Sequence, residues 1–297
     1  MFYFTLTSDF LMEPEKEYWD IEIEPRGSNF SLNLKEVWRY RDLLQMYVRR
    51  DIVTIYKQTV LGPLWFIIQP IFTTIMFMFV FGNIAQIPTD GLPQPLFYLS
   101  GILCWNYFSD CLGKTSGTFL GNAGVFSKVY FPRLVVPISG IISNLVRFAI
   151  QLVLFLAVYV YFNFTGSNIT PNIYVLLFPL LVIMMAGLGL GFGIIISSVT
   201  TKYRDMAILF GFVISLWMYA TPVIYPLSVM AEKYEKYMWI IQLNPLTSIV
   251  ETLRYGFMGA GTFSWFWLAY SFVVMIIVII TGSWVFNKVE RSFIDVV

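Results

Sequence analysis

Histidine is absent from this chain of 297 residues, cysteine occurs twice, and charged side chains make up only 12%. Each scarcity removes a class of function. Without histidine there is no His-based catalytic triad, no imidazole metal ligand, and no side chain that ordinarily titrates near neutral pH. Cys104 and Cys111 lie on one predicted helix, about 10.5 Å apart along its axis, so pairing them would break it. They read as small packed apolar residues. The formal net charge of +1 gives no global attraction to nucleic acid. Nucleotide-binding patterns fail as well. Gly113-Lys114-Thr115 has the ending of a P-loop, but Phe108 stands where the first glycine is required. Gly187, Gly189, Gly191 and Gly193 have no dinucleotide-binding unit around them, and their small-xxx-small spacing suits close packing of membrane helices. No nucleophile, base and oxyanion hole assemble, so no catalytic residues and no metal ligands are assigned.

What the chain has is apolar length. Hydrophobic residues are 58% of it. Runs poor in charge cover residues 58–89, 96–119, 136–162, 173–199, 206–224 and 263–286. Roughly 20 apolar residues in a helix cross a hydrocarbon core of about 30 Å. The sequence therefore predicts an all-α membrane protein with six transmembrane helices, an N-terminal amphipathic interfacial helix, and short re-entrant helices between the fifth and sixth spans. Its regions are an acidic cytoplasmic arm (1–32), the interfacial helix (33–57), the six-span domain (58–287) and a cytoplasmic tail (288–297). Lys and Arg cluster at 35–57, 114–133, 202–204 and 288–291, while the connections at 85–95 and 163–172 carry none. The positive-inside rule then places both termini in the cytoplasm. Residues 223–262 hold Lys233, Lys236 and Arg254 and lack an unbroken apolar stretch. Short helices dipping into the outer leaflet fit that segment, because such backbone is tolerated where protein or water covers it.

The first residues are acidic, with Asp9, Glu13, Glu15, Glu17, Asp20, Glu22 and Glu24 against Lys16 and Arg26. No basic, then apolar, leader pattern precedes them. Two readings stand: a solvated arm, or a segment that docks on a basic partner surface. Asn33 and Glu36 are spaced as a capping box. Beyond them Leu34, Val37, Trp38, Leu44, Val48, Ile52, Ile55 and Tyr56 gather on one helix face, opposite Lys35, Arg39, Arg49, Arg50 and Lys57, with Arg41 an exception. That pattern lies on the cytoplasmic leaflet, either as an anchor held by anionic lipid or as a gate whose Arg49, Arg50 and Lys57 meet an anionic head group. Two charges fall inside the membrane. Asp110 and Arg147 are both roughly 14–15 Å from the cytoplasmic face on consecutive spans. They read either as an intramembrane ion pair joining two helices or as substrate contacts.

Tyr56-Lys57-Gln58-Thr59-Val60-Leu61-Gly62-Pro63-Leu64-Trp65 leading to Gln69-Pro70 resembles the start of bacterial polysaccharide-export permeases of the ATP-binding-cassette class. Further matches are Phe126-Ser127-Lys128-Val129-Tyr130-Phe131-Pro132-Arg133, Lys202-Tyr203-Arg204-Asp205, Thr221-Pro222-Val223-Ile224-Tyr225-Pro226, Asn244-Pro245 and Arg254-Tyr255-Gly256. In this order and spacing the set is specific, and it covers about residues 34–290. Ile55 replaces a basic residue often found before the Tyr-Lys pair, and the acidic arm is longer than usual.

The resemblance implies the membrane subunit of an exporter for O-antigen, capsule or teichoic acid in the bacterial inner membrane. It implies a homodimer with two copies of a cytoplasmic ATPase, which carries ATP and magnesium, and a lipid-linked glycan as substrate. No cofactor is expected on this chain, and no nucleic acid. An exporter of the same architecture moving teichoic acid, a lipid or a drug is the alternative; an ion-driven carrier fits poorly, because Asp110 has no second acid beside it. The 122–134 loop, with Asn122, Phe126, Lys128, Tyr130, Phe131 and Arg133, is the expected contact for the ATPase. A glycan channel would be lined by aromatic faces and polar tips, for which Trp105, Tyr107, Phe108, Trp217 and Tyr219 are candidates; interfacial belts and lipid-facing packing account for most of the other aromatics.

Overall fold

The protein is described here by a computed structural model covering residues 34–57, 61–126, 128–129, 131–166, 169–233 and 235–296, and every regular element among them is helical. The acidic arm, Asn33 of the expected capping box and Tyr130 lie outside the described residues. Helices α1 (Leu34–Arg39) and α2 (Arg41–Lys57) are nearly continuous, since the Tyr40 N–H still bonds the Glu36 carbonyl at 3.2 Å. Val37 and Tyr47 turn into the protein, whereas Trp38 is 71% exposed on the side an interfacial helix offers to lipid.

A 3-10 turn at Gly62–Leu64 opens α3 (Trp65–Phe77), and Gly62 takes φ +50°, a conformation that glycine adopts without steric cost. Pro70 lies inside α3, which then widens into a π-helical stretch, Met78–Ile84. There follow α4 (Gln94–Ser116), α5 (Thr118–Phe126) and α6 (Val135–Phe164). A 3-10 turn, Ile173–Leu177, leads into α7 (Phe178–Lys202), and α8 (Met206–Tyr219) comes next. Three short helices, α9 (Leu227–Lys233), α10 (Met238–Leu243) and α11 (Pro245–Met258), precede α12 (Trp265–Val296).

Among the described residues, four segments are helices long and apolar enough to cross a bilayer: Gly62–Ile84, Val135–Phe164, Ile173–Lys202 and Trp265–Val289. The other two expected spans depart from that standard in opposite ways. Helix α4 has the length, 23 residues, but Asn106, Asp110 and Lys114 interrupt its apolar character. Helix α8 is apolar throughout but only 14 residues long, about 21 Å.

Helix α4 occupies the middle, touching α3, α6, α7 and α11, and most of its side chains are buried. Helix α7 is the second hub, set between α4 and α12. Its alternating glycines form two stripes of i, i+4 spacing. A Cβ on Gly189 would meet the Cys111 Cβ at 2.7 Å, and one on Gly193 the Thr115 Cβ at 2.5 Å, both on α4. On the other edge a Cβ on Gly191 would stand 2.9 Å from the backbone of Val278 and Ile279 on α12. Small residues here let helix backbones approach.

Backbone cannot rotate aside. Gly191→Ala is therefore expected to destabilise by about 1–3 kcal/mol. Gly211→Ala on α8, where nothing lies within 4 Å, should be tolerated. Thermal unfolding of both variants in detergent checks this; equal midpoints would contradict so tight an α7–α12 contact.

Candidate functional site

At the end rich in Lys and Arg, aromatic side chains turn inward. Phe126 and Phe131 lie 5.6 Å apart by ring centroids, with Tyr47 of α2 6.2 Å from Phe131. Phe119 stacks on Phe286 of α12 at 4.6 Å. The Arg133 guanidinium covers Phe126 at 5.6 Å and Phe119 at 6.0 Å, and Arg133 is itself buried. Phe126 and Phe131, expected as anchors for a partner, are buried within this chain. Phe126, Phe131 and Arg133 bind the turn to α2, α5 and α12, because aromatic area is buried first within the chain. Of the six expected contact residues, Lys128 is exposed beside the 58%-exposed Val129, and the Asn122 amide donates to its own helix, to the Thr118 carbonyl at 2.9 Å.

The basic residues of α2 divide in a similar way. Arg49 and Lys57 are exposed. Arg50 lies 4.5 Å over the Tyr47 ring and pairs with Asp51 at 2.9 Å, while Asp51 also receives Lys114 of α4 at 3.1 Å. Asp51 therefore joins the interfacial helix to the end of the central helix.

Halfway along the bundle, Arg147 Nη1 donates to Asp110 Oδ1 at 2.8 Å, and its Nη2 donates to Gln69 Oε1 at 2.9 Å. The guanidinium lies 5.1 Å from the Phe66 ring. Three helices, α3, α4 and α6, meet on that one cation. Beside it the expected lining aromatics do not form an open wall. Trp105, Tyr107 and Phe108 are buried within the bundle. Tyr107 packs on Phe148 at 4.7 Å, and Phe108 meets Trp217 edge-on at 5.3 Å. A helix surrounded on several sides buries residues that a single-helix reading assigns to a surface. Trp217 is half-buried and donates from its indole to Asn244 Oδ1 at 3.1 Å; Tyr219 faces outward.

The opposite end holds a cluster that the sequence reading missed. Helix α11 starts at Pro245 behind Asn244, whose side chain accepts from the Leu246 N–H at 3.1 Å, and it stops at Gly259 with φ +70°. Near its end Arg254 is 1% exposed. Its Nη1 donates to the Pro222 carbonyl (2.6 Å) and Glu251 Oε1 (3.4 Å), and its Nη2 to the carbonyls of Val223 (3.0 Å) and Phe97 (3.3 Å). Its Nε donates to Ser100 Oγ at 3.2 Å, and the guanidinium lies 3.7 Å from the Phe97 ring. Gly101 leaves the room, since a Cβ there would reach Arg254 Nη2 at 3.0 Å. Glu251 Oε2 accepts from the Thr262 N–H at 2.9 Å. One arginine thus holds together α4, the 221–224 turn and α11. The available signal was a Glu and an Arg three residues apart on a helix bounded by Asn-Pro and Gly; Arg254 stands in the sequence as a charge of the 223–262 segment and part of the Arg254-Tyr255-Gly256 match, with no sign there of its pairing with Glu251.

These elements recur as a set elsewhere. The profile of the ABC-2 type transporter family matches residues 42–258. The chain belongs to that family. The matched stretch begins in α2 and ends with α11, so it contains the Asp51 junction, the buried turn, the Asp110–Arg147 pair and the Arg254 cluster. Among its relatives, an O-antigen export system permease protein RfbA of Klebsiella pneumoniae is 29% identical over 259 residues, covering 86% of this chain and 95% of the relative. RfbA of Myxococcus xanthus is 28% identical over 222 residues, with 74% and 82% covered. The polysialic acid transport protein KpsM of Escherichia coli is 27% identical over 214 residues, with 69% and 77% covered. The polysaccharide-exporter resemblance read from the sequence is met by these relatives, and this ABC-2 transporter is a multi-pass membrane protein.

Proposed function

We propose that this chain is the membrane-spanning subunit of an ATP-driven exporter that moves a lipid-linked polysaccharide, of the O-antigen kind, from the cytoplasm across the bacterial inner membrane. The observation that carries this reading is the near end-to-end match, 95% of its length, to a permease named for O-antigen export. Deleting the chain should make lipid-linked glycan accumulate inside the cell while surface glycan disappears. Undiminished surface glycan in the deletion strain would refute the reading.

Two copies of the chain work with two copies of a cytoplasmic ATPase, and both chain ends lie in the cytoplasm. Six crossings follow from taking α4 and α8 with the four apolar helices. Helix α4 carries Asn106 and Asp110 because neighbouring helices partly cover them, and Lys114 lies near its cytoplasmic end. Helix α8 crosses most of the core before the chain turns at Thr221–Tyr225, and α9 to α11 lie in the outer leaflet. The aromatic group Tyr174, Tyr255, Phe263 and Trp265, with centroids 4.3–6.2 Å apart between neighbours, supports an outer interface at that level. Single cysteines at positions 20, 125, 203 and 292 should label from the cytoplasm, and at 90, 168 and 234 from outside. Arg49 and Lys57 meet the anionic head group of the lipid carrier at the inner leaflet. On this reading Trp217 and the outward-facing Tyr219 line the glycan path, and the buried Trp105, Tyr107 and Phe108 reach it only if the bundle parts.

The ATPase acts on the exposed tip, Lys128 and Val129, and the aromatic cluster beneath passes the movement to α2, α5 and α12. Lys128→Glu with Val129→Asp should lower ATPase co-purification at least tenfold while leaving the unfolding temperature unchanged. Phe131→Ala, by contrast, should destabilise the chain itself by about 3–5 kcal/mol. Wild-type ATPase binding by the tip variant would refute this contact.

A further inference from the structure

A cavity of about 170 Å3 lies where α9, α10, α11 and the start of α12 converge, beside the Arg254 cluster. That volume is well above the roughly 10–15 Å3 that admits one water and below the roughly 300–1,000 Å3 of sites for drug-sized ligands. Its walls are held before any ligand arrives. Ser248 of α11 and Ser271 of α12 share a hydrogen bond of 2.8 Å, and Glu251 receives the Thr262 N–H at 2.9 Å.

The lining combines one aromatic side chain, Trp267, with Met238 and with polar groups from Gln242, Glu251, Thr252 and Ser264. Thr252 is 2% exposed, and neither its hydroxyl nor the Gln242 amide has a hydrogen bond among the described residues. Gln242 is half-buried, and both groups border the cavity, where they are open to a ligand's hydrogen bonds. The chemistry of the wall narrows the occupant. An acyl chain would offer no hydrogen bond to Gln242, Thr252 or Ser264. A phosphate would face the Glu251 carboxylate with no Lys or Arg in the lining. A metal ion would find a carboxylate already engaged by Arg254 and Thr262, with no cluster of ligating residues among those described. A sugar ring fits this lining: a C–H face for the indole, and hydroxyls for the Gln242 amide and the Thr252 and Ser264 hydroxyls.

We propose that this cavity is a saccharide subsite, holding one sugar residue of the transported glycan at the outer mouth of the protein. The assignment rests on the exporter reading above and names where the emerging chain is held. It predicts a resting place for a single residue, with binding independent of the lipid carrier.

The test uses the cargo itself. Mild acid releases the saccharide from lipid-linked glycan that accumulates in the deletion strain. That saccharide is titrated against the purified full chain in lipid nanodiscs, with binding read by saturation-transfer NMR. Saturable binding is expected, weakened at least tenfold by Gln242→Ala and by Trp267→Ala, and unchanged by Phe266→Ala, whose side chain lies on the same helix outside the cavity. Thr252→Val, nearly equal in volume, guards against misfolding of the tryptophan variant and should weaken binding as well. No saturable binding, or binding that none of the cavity variants alters, overturns the proposal while leaving the exporter reading intact. Absence of any accumulated lipid-linked glycan overturns the exporter reading, and the subsite with it.

Discussion

Arg254→Met is expected to lose about 3–5 kcal/mol of stability, because it strands Glu251 as a buried charge without its cation. The same change removes donors from the carbonyls of Phe97, Pro222 and Val223 and from the Ser100 hydroxyl. Each of those carbonyls belongs to backbone outside α11, so the loss falls on the joint between elements. The helix itself keeps its caps. Arg254→Lys should rescue little. An ammonium offers a compact set of donors, whereas the guanidinium fork reaches acceptors on three segments at once and stacks on Phe97. Glu251→Leu with Arg254→Met should recover part of the loss, since a buried pair replaced by apolar side chains leaves no lone charge. Thermal unfolding in detergent, alongside surface glycan display, measures both effects. An Arg254→Met protein that unfolds at the wild-type temperature would show that the joint is held by packing alone.

Hydropathy gave the spans where lipid faces them. Residues 136–162 and 173–199 predicted helices that the structure extends to Val135–Phe164 and Ile173–Lys202. Length and apolar content determine such a helix locally, so a single chain suffices to read it. The glycine run was legible for the same reason, since spacing along one helix is visible in sequence, although which neighbour each stripe meets was not. Failures came where position depends on partners. Phe126 and Phe131 look like exposed anchors in a short loop, but Tyr47 lies about eighty residues earlier in the chain and closes over them. Tyr107 and Phe108 look like pore residues until α6, α7 and α8 surround α4. Arg254 carries the sharpest lesson. Its charge sat awkwardly in a segment expected to be external, and only the convergence of α4 and the 221–224 turn makes a fully buried arginine affordable.

Removing Asp110 or Arg147 singly should cost more than removing both. The two side chains are each 23% exposed and 2.8 Å apart, so the pair is partly screened and the loss per single change falls toward the lower end of about 3–5 kcal/mol. Arg147→Met is expected to be the worse single change, because it leaves a carboxylate at membrane depth and frees Gln69 of α3 as well. Asp110→Asn leaves Arg147 still bonded to Gln69 and lying 5.1 Å from the Phe66 ring, so it should be milder. The double variant Asp110→Asn with Arg147→Met removes both charges and should recover stability relative to Arg147→Met alone. Unfolding of the four proteins gives the coupling directly, and strictly additive losses would mean that the contact does not hold α4 to α6. Export by the double variant then separates two roles that the sequence left open. If the pair only joins helices, the double variant, once folded, should display surface glycan near the wild-type level. If Arg147 also meets an anionic group of the substrate, the double variant should fold and fail to export. Its Nε, buried and without a partner among the described residues, leaves that guanidinium a donor to offer.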